Sequence, residues 1–353
     1  MQPACAREIA EGNRLREAGH VEEALAAYRR AVGLAPDEVD PHYNLAIALR
    51  QSGDLRAAAL EFRAASRLDP ADLDAVQNVV ETLGLAVERG TRLFEAGPPA
   101  ACTDQIPVSI VVCSIDPARL AAMQASFRAG LEGREHEFIV IRDARGLSEG
   151  YQRGLAAARH EVVVFAHDDI ELASPRPFDA LQRALERHDV VGLAGSRVAS
   201  GPAMAWAGQP HLFGSVAYPA GTRWKATIYS LATGVLGGMQ TLDGLLFAAK
   251  RKAALAVGFD AATFDGFHFY DLDFVYRAHL AGHAVAVTTE VLAIHASEGR
   301  FDDAWKRAAE RFVHKFPELQ RPQGRSCYFG REFGVREQLV RFHEEYNAMG
   351  ATA

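Results

Sequence analysis

The chain has 353 residues, 49% of them hydrophobic, and a formal net charge of −7. That length suggests two or three domains with enough apolar side chain for a real core. Residues 1–100 hold 11 arginines and no lysine against 16 acids, net −5, and the remainder carries about −2, so neither part offers the basic field that a nucleic-acid partner needs.

Shifted by 34 positions, the N-terminal sequence matches itself. Gly19 falls on Gly53, Ala24 on Ala58, Tyr28 on Phe62, Ala31 on Ala65 and Pro36 on Pro70. The physics is that of helix pairs. Alanine lets helices approach, glycine opens the turn, an aromatic ring fills the seam and proline ends the second helix. The period resembles the tetratricopeptide repeat over residues 5–72. Leu73–Ala96 continues as a helix without the repeat's Gly or Pro and reads as a cap. Arrays this short seldom stand alone, so the module is expected to pack on a second domain, on a second copy in a homodimer, or on both. It has two readings: a groove for a peptide or protein, or a structural appendage. Gly97-Pro98-Pro99-Ala100 breaks the pattern and marks a linker.

Pro107–Cys113 reads as a buried strand, Pro117–Leu131 as a helix, Glu137–Ile141 as a strand and Gly150–Arg159 as a helix. Val162–Phe165, a continuous apolar run, reads as a strand buried on both faces. Strand, helix, strand, helix, strand implies a mainly parallel sheet with helices on both faces. The three strands end in Ser114, Arg142-Asp143 and His167-Asp168-Asp169. Ligands bind at that edge of open α/β sheets, and two adjacent carboxylates there call for a positive partner such as a divalent cation. No GxGxxG, GxxxxGK[ST] or GxSxG motif is present, which argues against dinucleotide, P-loop and hydrolase readings.

Gly195–Gly238, with Trp206 and Trp224, shows few clear elements. Beyond it come Leu242-Asp243-Gly244-Leu245 and Phe267-His268-Phe269-Tyr270-Asp271-Leu272-Asp273, the latter leading into a helix over Val275–Ala281. Asp271 or Asp273 could cap that helix. Gly282–Val287 returns as a strand, and Val291–His295 delivers a histidine suited to a third metal ligand. Phe301–Phe316 reads as an amphipathic helix with Trp305, Ala308, Phe312 and Phe316 as its stripe. Arg321–Gly334 reads as a loop that closes over a ligand, and Glu337–Met349 as a short helix. The boundaries are therefore 1–96 for the repeats, 97–104 for the linker, 105–320 for the α/β domain and 321–353 for the C-terminal loop and helix.

In this order the pieces resemble a family-two-type glycosyltransferase of the GT-A fold over residues 105–315. His167-Asp168-Asp169 stands for the DxD motif, with His in place of its first Asp. Tyr270-Asp271 stands for the Glu-Asp motif. The resemblance implies a nucleotide-sugar donor, a UDP-sugar above all, and inversion at the anomeric carbon. Ser114 and Asp143 would touch the nucleoside, Arg142 a phosphate or Asp143, and Asp168 the ribose or metal. Asp169 and His295 would bind Mn²⁺ or Mg²⁺. Asp243 and Gly244 would form the sugar-binding wall, Asp271 would be the base, and His268 would lie just behind the site. The repeats suggest a protein or peptide acceptor. Two rivals stand beside this reading: a repeat scaffold with a non-catalytic nucleotide-binding domain, and a nucleotidyltransferase.

The four cysteines, Cys5, Cys102, Cys113 and Cys327, have no paired spacing, which argues against a zinc knuckle or disulfide framework and suits a reducing compartment. No apolar run reaches the ~18–20 residues of a membrane span and no signal-peptide pattern opens the chain. The expectation is a cytoplasmic protein with no integral membrane segment.

Overall fold

The computed structural model describes residues 2–97, 100–297, 299, 301–319 and 328–351. The chain divides into two compact units, Met1–Ala96 with Phe329–Ala353, and Gly97–Tyr328.

The first unit begins with five helices: α1 (Pro3–Glu17), α2 (Val21–Leu34), α3 (Val39–Ser52), α4 (Leu55–Leu68) and α5 (Leu73–Glu88). Each packs on the next. The residues that repeat at 34 are the ones the packing uses. Ala24, Tyr28, Ala31, Ala58, Phe62 and Ala65 are all fully buried. Gly19 and Gly53 turn the chain at φ +81° and +95°, a region where a Cβ is strained. Pro36 and Pro70 lie just beyond the ends of α2 and α4.

Helix α5 ends at Glu88, short of the expected Ala96, and is apolar around most of its circumference, with Val79, Val80, Leu83 and Ala86 buried. It is not the outermost layer. The strand Phe329–Phe333 and the helix Arg336–Ala351 lie on it. That strand replaces part of the loop expected over Arg321–Gly334, whose residues 321–327 fall outside the described set. Its two buried phenylalanines are separated by Gly330, Arg331 and Glu332, which hides the apolar pattern. From the helix, Leu339, Phe342, Tyr346 and Met349 are buried to 1% exposure or less. Two charged groups fix the seam. The buried Arg63 guanidinium on α4 donates to the carbonyls of Met349 and Gly350, where the helix dipole presents negative charge. The buried Glu345 carboxylate accepts from the Leu93 and Phe94 amides.

The second unit contains, in order, β1 (Val108–Cys113), α6 (Pro117–Leu131), β2 (His136–Ile141), α7 (Leu147–Ala157), β3 (Val162–Ala166), β4 (Ile170–Leu172), α8 (Pro177–Leu185), β5 (Val190–Gly192), β6 (Ala194–Ser196), β7 (Leu212–Ala220), β8 (Arg223–Ile228), β9 (Val235–Gly237), β10 (Thr241–Leu242), β11 (Leu246–Lys250), α9 (Arg251–Val257), α10 (Tyr270–Leu280), β12 (Val285–Thr288), β13 (Ala293–His295) and α11 (Asp303–Lys315). The main sheet has the order β2-β1-β3-β11-β5-β12-β9. β2, β1, β3, β5 and β12 run one way, with β11 and β9 opposed. It is a largely parallel, GT-A-like arrangement. Side chains alternate across it. Val162, Val164 and Ala166 of β3 enter one core with Phe127 of α6 and Leu181 of α8. Val163 and Phe165 enter the other with Tyr151 of α7 and Phe274 of α10. A second sheet runs β10-β6-β7-β13-β4, with β8 on β7.

Residues 195–238, expected to hold few elements, therefore supply strands β7, β8 and β9 and part of β6. Gly214, at φ +98° against the Leu193 carbonyl, and Pro219 interrupt the period-2 pattern of β7 and conceal it. Trp224 lies on β8, and Trp206 sits in a short 3₁₀ turn at 38% exposure.

The C-terminal helix is expected to be essential to the repeats. Fully burying one large apolar side chain contributes roughly 1.5–3 kcal/mol, so losing four approaches the whole ~5–15 kcal/mol of a domain. A chain ending at Tyr328 should lose the cooperative thermal transition of the helical unit in circular dichroism. Residues 1–96 joined to 328–353 by a flexible linker should keep it.

Candidate active site

Register builds the site. β1 pairs with β3 in parallel, Val112 opposite Ala166, so both strands leave the sheet side by side. There the Ser114 hydroxyl donates to Asp168 Oδ2 at 2.7 Å. β11 flanks β3 antiparallel, Leu246 opposite Ala166, so it enters the sheet where β3 leaves it. The same edge thus receives Asp243-Gly244-Leu245, and the His167 amide donates to the Leu245 carbonyl at 3.1 Å. β13 lies on β4 with His295 opposite Ile170, which carries His295 to Asp169.

The side chains form a continuous polar line. Asp169 Oδ1 lies 3.3 Å from His295 Nε2, the two side chains 6% and 11% exposed. His295 Nε2 lies 3.3 Å from His167 Nδ1 and 3.4 Å from Ser297 Oγ. His167 Nε2 lies 2.7 Å from the Tyr270 oxygen, and the Tyr270 hydroxyl donates to the Gly244 carbonyl at 2.9 Å. The Gly244 amide donates to Asp271 Oδ2 at 2.8 Å. A Cβ on Gly244 would overlap the Tyr270 hydroxyl and the Asp271 side chain, so only glycine fits between them. Helix α10 starts at Tyr270 and places Asp271 in its first turn. The preceding Phe269 sits at φ +66°, a conformation costly for a bulky side chain, and is held there by packing among Phe264, Trp305 and Phe312.

Burial and the neighbouring Asp243 charge push the Asp271 carboxyl up to about 7, against the pull of the Leu272 and Gly244 amides. Burial, and then His295, push His167 down to about 4, so its ring is neutral near pH 7. Burial alone would raise Asp169. Hydrogen bonds from His295 and Ser297 outweigh it and hold that carboxyl below the usual carboxylate range. His167, Asp169 and His295 each present one ligand atom within 4.8 Å of the others, an arrangement that could hold a metal ion.

The candidates read from sequence fall into groups. Ser114 with Asp168, Asp169 with His295, and Gly244 with Asp271 are in contact, and Asp243 folds back to accept from the Leu245 amide at 3.1 Å. Arg142 and Asp143 are exposed beyond β2, and Asp143 pairs with Arg153 of α7 at 2.8 Å, not with Arg142. His268 faces Asp302 at 3.7 Å. The residues that join the groups, His167 and Tyr270, are the two positions where the motifs depart from the family pattern. The departures themselves were the signal, since a new His and a new Tyr can pair.

Residues 109–316 match the Glycosyltransferase like family, and residues 12–49 match the TPR repeat. The chain belongs to the glycosyltransferase-like family. It is a glycosyltransferase with N-terminal tetratricopeptide helices, and its domain implies a nucleotide-sugar donor. No curated protein matches the chain. No described helix is long and apolar enough to cross a membrane.

The raised Asp271 pKa carries a stability consequence. In the unfolded enzyme this carboxyl ionises near ~3.9. Folding therefore opposes its ionisation, and stability falls as pH rises through that interval, fully so above about 7. Asp271→Asn, whose amide can donate towards Asp243, should raise Tm at pH 8 by the equivalent of ~1–3 kcal/mol and change it little at pH 4. Thermal melts at the two pH values test this.

Proposed function

We propose that the enzyme moves a sugar from a UDP-sugar to an acceptor hydroxyl with inversion, using Asp271 as general base and Mn²⁺ or Mg²⁺ held by Asp169 and His295. The observation that carries this reading is the polar line from Asp169 to Asp271, which ends on a carboxyl with a pKa of about 7. A base is most effective when its pKa lies near the working pH.

The donor set fits such a cation. A low-pKa carboxylate and an imidazole converge at the edge of the sheet, and hard ions take oxygen while the nitrogen favours Mn²⁺. When bound, the ion offsets the charge that grows on the departing diphosphate. The chain's own groups do the rest. Ser114 and Asp168 present a hydroxyl and a carboxylate to the ribose or nucleoside. Arg142 and Asp143 stand free of that network beyond β2, where a diphosphate or base edge can meet them. Asp243 accepts from a hydroxyl of the donor sugar. The Gly244 amide holds one Asp271 oxygen in place. As the acceptor oxygen bonds to the anomeric carbon, the bond to the diphosphate breaks on the opposite face and the acceptor proton passes to Asp271. The tetratricopeptide helices support a protein or peptide as the acceptor.

Incubation with UDP-sugars should release free UDP, and a nucleotide-sugar screen by thermal shift with and without Mn²⁺ should single out the donor. kcat/KM should rise with pH through about 7, where Asp271 loses its proton. Asp271→Asn should lower turnover by ~10²–10⁴-fold while the donor still raises Tm, and Asp169→Ala should abolish transfer. Full activity of Asp271→Asn would remove the base assignment, and release of pyrophosphate in place of UDP would overturn the reaction class.

A further inference from the structure

The His167 ring has two different neighbours, and hydrogen accounting settles which nitrogen carries its proton. The Tyr270 hydroxyl spends its one hydrogen on the Gly244 carbonyl at 2.9 Å. Its oxygen can then only accept from His167, 2.7 Å away, so the proton is on Nε2. In the tautomer with its proton on Nε2, the ring presents the lone pair of Nδ1. That lone pair faces His295 Nε2 at 3.3 Å. The same His295 nitrogen lies 3.3 Å from Asp169 Oδ1 and 3.4 Å from Ser297 Oγ. All three separations are longer than the roughly 2.7–3.2 Å of good N–H···O bonds. The ligand atoms of His167, Asp169 and His295 all lie within 4.8 Å of one another, an arrangement that could hold one ion.

We propose that His167 is a metal ligand through Nδ1, completing a His–Asp–His set with Asp169 and His295, and that Tyr270 is the positioning residue that fixes its tautomer. This rests on the metal-dependent reading above and sharpens it. A donor set of two imidazoles and one carboxylate selects ions that accept nitrogen, Mn²⁺, Co²⁺ and Zn²⁺, over Mg²⁺ and Ca²⁺, which prefer all-oxygen shells. The family's first motif carboxylate is thereby replaced by a neutral ligand. This set would hold a dipositive ion with a single carboxylate, which would leave more of the ion's charge to offset that of the diphosphate. Tyr270 plays the part that a carboxylate or carbonyl usually plays behind a ligating histidine, with the Gly244 carbonyl behind it in turn.

The test is Mn²⁺ binding to the chelator-stripped full chain, alone and with UDP, read by electron paramagnetic resonance. Pulsed spectra count the imidazoles bound to the ion. Wild type is expected to show two, and His167→Ala one. Mn²⁺ affinity should fall by more than tenfold in His167→Ala and by ~10–100-fold in Tyr270→Phe, with a thermal melt confirming that each variant is folded. Excess Mg²⁺ should fail to displace Mn²⁺ from wild type. If His167→Ala does not fold, the wild-type spectrum decides alone: two imidazoles support the assignment and one overturns it. Binding with a single imidazole, unchanged in His167→Ala, would remove His167 from the ligand set and leave the metal-dependent reading intact. No Mn²⁺ binding to wild type, with or without UDP, would overturn both.

Discussion

A neutral imidazole held between a tyrosine hydroxyl and a second imidazole is the contact on which the candidate active site depends. His167 links two halves that come from distant parts of the sequence: Asp169 with His295, and Gly244 with Asp271. It can do so because β3 is central. A parallel neighbour, β1, ends beside it, and an antiparallel neighbour, β11, begins there. A one-residue slip in either pairing would turn the strand-end side chains to the other face. The alternate burial of β3 on two cores makes such a slip expensive, since it would exchange the sites of Phe165 and Val164. The apolar run thus secures the position of the polar groups that follow it.

Much of this was legible before any coordinates. The 34-residue period, the two-sided burial of Val162–Phe165 and the clustering of polar groups at strand ends follow from local rules of spacing and burial. What local rules could not give was which strand ends meet. Ser114, Asp143 and Asp168 look alike in sequence. In space β2 is the edge strand, so Asp143 has solvent and Arg153 for company, while Ser114 and Asp168 face each other across adjacent strands. The His167–Tyr270 contact spans more than a hundred positions, and no periodicity reports it. The hairpin of β7 and β8 was hidden for a different reason. The glycine and proline that let β7 bend are the residues whose presence argues against a strand.

The site also shows where stability has been given up. Asp271 is enclosed beside a second carboxyl at the start of a helix, and Phe269 is held in a left-handed conformation just ahead of it. Each is unfavourable by itself, and aromatic packing around Phe269 offsets the backbone strain. Such violations of local preference collect where a side chain must be aimed, and here one is the carboxyl assigned as base and the other lies two residues before it.

The helical unit draws its last layer from the far end of the chain. This has a consequence for biosynthesis. The valine-rich surface of α5 leaves the ribosome long before Leu339, Phe342, Tyr346 and Met349 exist to cover it. At ~5–20 residues per second that interval lasts on the order of ten seconds or more. Throughout it the nascent chain carries a sticky, unsealed face while the α/β unit is still being made. The helical unit therefore cannot complete its packing until residues 329–351 have been made, although its repeats are translated first.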